Sequence, residues 1–171
     1  MRANPSSRSP TITGSRNLRS KTQFDTWKLL ESQHQFFIDR NQGNKIMPDL
    51  LRKAGLRVIC HSEKYTDDMT ADPIWIERCA KEEWAVPTGD KAIETDPTNR
   101  QAVIDSKAKV FLLDENNSRA VEWASAIIVA RRRIVEVVHE NDGPFFVTLR
   151  KTSKGLVSKI RRPKKARAGP S

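Results

Sequence analysis

The chain has 171 residues, 37% hydrophobic and 30% charged, with 31 Lys+Arg against 21 Asp+Glu and a formal charge of +10. That length suits one domain with tails and a sizeable core, and no run approaches the roughly 18 apolar residues of a membrane span. Two cysteines, Cys60 and Cys79, exclude a disulfide framework and a C-x-x-C zinc pattern.

In chain order, residues 1–22 hold Arg2, Arg8, Arg16, Arg19 and Lys21 and no acid. The stretch lacks the apolar segment of a secretory signal. A reduced, cytoplasmic protein is the simplest reading. Such a basic, Pro- and Ser-containing end is expected to be disordered. It either does nothing specific or steers a polyanion.

The body, 23–158, begins with Phe36-Phe37-Ile38-Asp39, an apolar strand ending in an acid. Ile46, Leu50, Leu51 and Ala54 follow at helical spacing, with Gly55 as C-cap and Pro48 in the tolerant first turn. Leu56–Cys60 is the second strand and 61–71 a polar loop. Asp72-Pro73 reads as an N-cap with Pro at the first helical position, and Ile76, Cys79 and Ala80 as that helix's apolar face. Residues 84–88 form a third strand, followed by Gly89-Asp90. Asp96 caps a helix over 97–106, and 110–113 is the fourth strand. A long helix spans about 118–139, and a hairpin around Lys154-Gly155 closes the body. Residues 159–171 form a second basic tail, with Arg161, Arg162, Lys164 and Lys165 as candidate nucleic-acid contacts.

Alternating strands and helices predict an α/β fold with a central, mostly parallel sheet and helices on both faces. Ligands bind such sheets at the carboxyl ends of the strands. Acids recur there: Asp39, then Glu63, Asp67, Asp68 and Asp72, then Asp90, then Asp114 and Glu115. Converging carboxylates stay ionised together around a cation, and oxygen ligands select hard ions such as Mg²⁺ or Mn²⁺. Such an ion assists phosphodiester hydrolysis. The competing explanation is helix capping, which also places Asp after strands. It suits Asp72 and Asp96 better than Asp39 and Asp90.

Other chemistries have less support. His34, His61 and His139 show no H-x-x-x-H spacing. Cys60 beside His61 reads as a core thiol rather than a nucleophile. No Walker A, G-x-G-x-x-G or G-x-S-x-G motif is present. The four tryptophans read as packing residues, and Arg131-Arg132-Arg133 as a solvated helix face rather than a binding site.

Phe36-Phe-Ile-Asp-Arg-Asn-Gln-Gly43, Asp72-Pro-Ile-Trp-Ile76, Thr88-Gly-Asp-Lys-Ala-Ile93, Val110-Phe-Leu-Leu113 and Gly143-Pro-Phe-Phe146 stand in that order. Together they resemble the PIN-like domains related to VapC toxins, across about 36–150. The resemblance implies a compact three-layer PIN-like fold and a Mg²⁺- or Mn²⁺-dependent ribonuclease of a type II toxin–antitoxin pair. It further implies RNA and an antitoxin as partners, a homodimer, and no membrane. It carries Asp39, Asp72 and Asp90 over as metal ligands, and Thr88 as the hydroxyl orienting Asp90. Lys91 and Arg40 become phosphate contacts. A fourth acid has no clear position, Glu63 and Asp96 being the candidates. Pro87 departs from the strand pattern and marks either a bulge or the strand's end. The alternative function is a catalytically inactive PIN-like module that binds nucleic acid or protein.

Overall fold

The computed structural model describes residues 28–30, 32–42, 45–67, 70–114, 119–152 and 155–163, with backbone alone for 151–158. The N-terminal end, 1–22, and residues 164–171 of the C-terminal tail lie outside the described residues, whereas residues 159–161, expected as the start of that tail, continue the last strand of the sheet.

The elements run β1 (Gln35–Ile38), a 3₁₀ turn (Arg40–Gln42), α1 (Ile46–Lys53), β2 (Arg57–Cys60), α2 (His61–Lys64) and α3 (Asp72–Lys81). Next come β3 (Val86–Thr88), α4 (Ala92–Thr95), α5 (Pro97–Ser106), β4 (Lys109–Leu113), α6 (Ala120–Glu140), β5 (Phe145–Thr152) and β6 (Gly155–Arg161). Strands β3, β4 and β5 are parallel neighbours, and β6 returns antiparallel along β5. β1 and β2 pair in parallel. The two ribbons meet at one bridge, Phe36 opposite Ala85. There Phe37 N–H donates to Ala85 O at 2.9 Å and Ala85 N–H donates to Gln35 O at 3.0 Å. The strand order is therefore 2-1-3-4-5-6, and the order reverses between β1 and β3. In open α/β sheets that reversal is where a crevice forms at the carboxyl edge.

Pro87 sharpens this crevice. Backbone groups alternate sides along a strand, so residues 85 and 87 address the same neighbour, β1. Ala85 donates to β1, whereas Pro87 has no N–H to give. The β1–β3 ladder stops at Ala85 and the strands part just before Asp39 and Asp90. Of the two readings of Pro87, the end of pairing holds on the β1 side. On the β4 side it pairs in register with Phe111 and forms no bulge.

Alternation also sorts the core into two layers. Phe36, Ile38, Ala85, Phe111 and Val147 face α1 and α6. Phe37, Val86, Val110, Leu112 and Phe146 face α3, α4 and α5. This is the three-layer α/β arrangement predicted from the sequence. Each fully buried Leu, Ile or Phe contributes about 1.5–3 kcal/mol, which explains why eight-residue α1, anchored by Met47 and Leu51 at 0% exposure, holds its place.

Two details correct the sequence reading. The N-cap of α3 is Ala71, not Asp72, because the Asp72 carboxylate is taken up by tertiary partners and makes no cap bond. The segment 61–71 is not all loop. It opens with α2, whose first turn is closed by Glu63 accepting from Cys60 N–H at 2.9 Å.

Candidate active site

Asp39, Asp72, Asp90 and Thr88 come together at the β1/β3 crevice. Asp39 directly follows β1, whose Phe37 stacks on Trp75 with ring centroids 5.3 Å apart. It is 1% exposed, and neither carboxylate oxygen has a hydrogen-bond partner. Burial, then the charges of Asp72 and Asp90, push its pKa from 3.8 to about 6. Backbone N–H groups of Arg40 and Asn41 pull the other way, but neither reaches hydrogen-bonding geometry.

The other two acids are held by the two residues that follow Asp39 in the chain. Arg40 Nη2 lies 3.3 Å from Asp72 Oδ1. Asn41 Nδ2 donates to Asp90 Oδ2 at 2.8 Å. Trp75 Nε1 donates to Asp72 Oδ1 at 3.1 Å, and Asn99 Nδ2 donates to Asp72 Oδ2 at 2.9 Å. Asp90 Oδ1 accepts from Ala92 N–H at 2.8 Å, and Asp90 N–H donates to Thr88 Oγ1 at 3.0 Å. Thr88 is fully buried and fixes the turn that aims Asp90. Among the described residues no three of His, Cys, Asp or Glu form a preassembled metal cage.

Both candidates for a fourth acid lie outside this set. Asp96 caps α5, accepting from Thr98 N–H at 2.9 Å and Asn99 N–H at 3.0 Å. It acts on the site indirectly, by holding the residue that holds Asp72. Glu63 is paired with Arg52 at 2.6 Å. Lys91, at the cap of α4, is exposed beside Asp90. Arg161 and Arg162 stand elsewhere. Arg161 is level with Phe146, at the amino end of the parallel strands, and Arg162 donates to Asp142 O at 3.2 Å. Arg161 is bound to Glu94 at 2.7 Å and to Thr148. Lys164 and Lys165 lie outside the described residues.

Of the other acids noted at the strand ends, Asp114 is paired with Arg150, and Asp68 and Glu115 lie outside the described residues. Burial pushes the Cys60 thiol up, which suits a core residue and opposes a thiolate nucleophile. His34 and His139 meet at 5.8 Å near the amino edge. Arg132 pairs with Glu136 at 3.0 Å. Sequence reasoning gave no role to Asn41, although it stands within the Phe36–Gly43 motif, or to Asn99, and assigned Trp75 to packing alone.

Gly89 is required by α6. A Cβ there would lie 2.5 Å from Cζ2 of Trp123. Gly89→Ala is expected to cost about 1–3 kcal/mol by overpacking, and Trp123→Leu in the same chain should recover part of it. Thermal melts of the single and double variants check this coupling.

Residues 34–115 match the family model described as a PIN-like domain. The chain carries a PIN-like domain. The matched segment spans β1 to the end of β4 and includes all three crevice acids. The domain is also similar to a Mycobacterium tuberculosis protein named "Putative ribonuclease VapC45", at 28% identity over 124 residues, covering 71% of this chain and 89% of that protein. No solved structure matches the chain. Among the described residues, no helix of the PIN-like domain is long and apolar enough to cross a membrane.

Proposed function

We propose that this PIN-like domain is a metal-dependent endoribonuclease, the toxin of a type II toxin–antitoxin pair. One observation carries the reading: a carboxylate 1% exposed with both oxygens unpartnered, facing two further carboxylates. An ionised group so placed is costly without a counter-charge. The donor set is oxygen only, which fits Mg²⁺ or Mn²⁺. Asp39, Asp72 and Asp90 would hold the ion. When bound, it supplies charge neutralisation at a phosphoryl oxygen and acidifies an attacking water.

The chain's own residues do the rest. Thr88 and Ala92 N–H fix Asp90, and Trp75 and Asn99 fix Asp72. Phe37 and Trp75 are fully buried and form part of the dry core on which the crevice is built. Lys91 supplies a charge for an RNA phosphate. The body, 23–158, is the catalytic unit, and the basic ends hold RNA electrostatically. RNA and a cognate antitoxin are the partners, and the cytoplasm is the compartment.

A second reading, an inactive nucleic-acid-binding module, draws on the lack of a preassembled cage among the described residues. Cleavage of a labelled mixed-sequence RNA with Mn²⁺, Mg²⁺ or EDTA separates the two. The nuclease cuts only with metal, and Asp90→Asn abolishes cutting. Retention of RNA without cutting by either protein favours the inactive module.

A further inference from the structure

Arg40 directly follows Asp39 in a turn fixed by Gln42 N–H donating to Asp39 O at 3.1 Å. Its guanidinium reaches back over the crevice. Nη2 meets Asp72 Oδ1 at 3.3 Å and Nη1 donates to Thr70 O at 3.1 Å. We infer that Arg40 is an exchangeable counter-ion, which balances Asp72 while the crevice holds no divalent cation and turns to an RNA phosphate when the cation arrives. This rests on the metal-dependent ribonuclease reading above.

Four observations support the exchange. The contact is long, since charge-assisted pairs of this kind sit at about 2.7–2.9 Å. It is also partly wet, the Arg40 side chain being 31% exposed and that of Asp72 19%, so it is easily given up. Asp72 does not depend on it for position, because Trp75 also donates to Oδ1 and Asn99 holds Oδ2. Asp39, meanwhile, has both oxygens available beside it. A divalent cation there would draw on Asp39 and Asp72 together and repel the guanidinium. Once released, a planar fork beside the crevice matches a phosphate in geometry and charge. By linkage, cation binding and phosphate binding would then strengthen each other equally.

The full chain is titrated with Mn²⁺ alone, free ion being read by its EPR signal, for wild type, Arg40→Gln and Arg40→Lys. Stopped-flow anisotropy of a labelled RNA oligomer is then measured with and without Mn²⁺, before cutting proceeds. Arg40→Gln is expected to bind Mn²⁺ up to about fivefold tighter and to lose most of the Mn²⁺-induced gain in RNA affinity. Arg40→Lys, which keeps the charge, stays within about twofold of wild type for Mn²⁺. Wild type that binds Mn²⁺ with Arg40→Gln no tighter overturns the exchange while leaving the ribonuclease reading intact. Equal tightening in both variants also overturns it, since lost packing and not lost charge would be responsible. Absence of Mn²⁺ binding in all three overturns both readings.

Discussion

Asp39→Asn is expected to abolish metal-dependent RNA cleavage, by about 10³-fold or more, and yet to raise the melting temperature in EDTA. The second effect follows from burial. Asp39 has its pKa pushed from 3.8 to about 6 in the folded protein, so the native state holds this proton more tightly than the unfolded chain. Below about pH 4 both states are protonated and the group costs nothing. Between about pH 4 and 6 the unfolded chain releases the proton first, and stability falls as pH rises. Above about pH 6 the full penalty is present, on the order of 3 kcal/mol. An Asn amide removes the charge but stays poorly hydrogen-bonded, so it recovers a part, about 1–2 kcal/mol, or roughly 2–8 °C. Melts from pH 4.5 to 8 test the sign: wild type should lose stability through this window, and the variant should not. Mn²⁺ should reverse the wild-type loss at pH 7.5 by binding the native state, with little effect on Asp39→Asn. A large drop in melting temperature for Asp39→Asn would show Asp39 to be structural.

The same carboxylate shows why part of the site was legible in the sequence. Asp39 and Asp90 each end an apolar strand, and a strand's end in a parallel sheet is a known place for ligands. Local pattern therefore found them. It misjudged Asp72, because Asp followed by Pro is a strong helix-start signal and nothing local reveals Asn99, 27 residues away, as the donor that draws the carboxylate inward. Arg40 and Asn41 are similar. Their partners lie 32 and 49 residues along the chain, separations at which periodicity carries no information. Four-residue α2 and α4 are too short to show an apolar repeat, and both depend on single acids: Glu63 bonding back to Cys60 N–H, and Asp90 receiving Ala92 N–H. The strand order 2-1-3-4-5-6 is likewise a property of packing. Pro87, however, was a readable irregularity, and it marks the parting of β1 from β3.

Gly143→Ala should be the most destabilising single-methyl substitution among the described glycines. A Cβ at 143 would lie 1.9 Å from the carbonyl oxygen of Lys107 and 2.7 Å from its carbonyl carbon. That carbonyl cannot swing aside. Lys107 closes α5 in the left-handed region, at φ 61°, and Ala108 N–H next to it donates to Val103 O at 3.1 Å. Nor can Gly143 retreat freely, because Phe145 N–H donates to Ala108 O at 3.2 Å and begins the β4–β5 register at Lys109 opposite Phe145. Relief requires the two strands to separate at their amino ends, where Phe145 and Phe146 are buried in opposite core layers. The expected cost is about 3 kcal/mol or more, roughly 6–12 °C in melting temperature. Gly55→Ala supplies the contrast. Gly55 has φ +85° but nothing within 4 Å of where a methyl group would stand, so only the left-handed backbone is penalised, by about 1–2 kcal/mol. Thermal melts of the two variants side by side should rank Gly143→Ala clearly lower. If the two fall equally, backbone conformation, and not the close approach of β5 to the α5 terminus, governs stability at position 143.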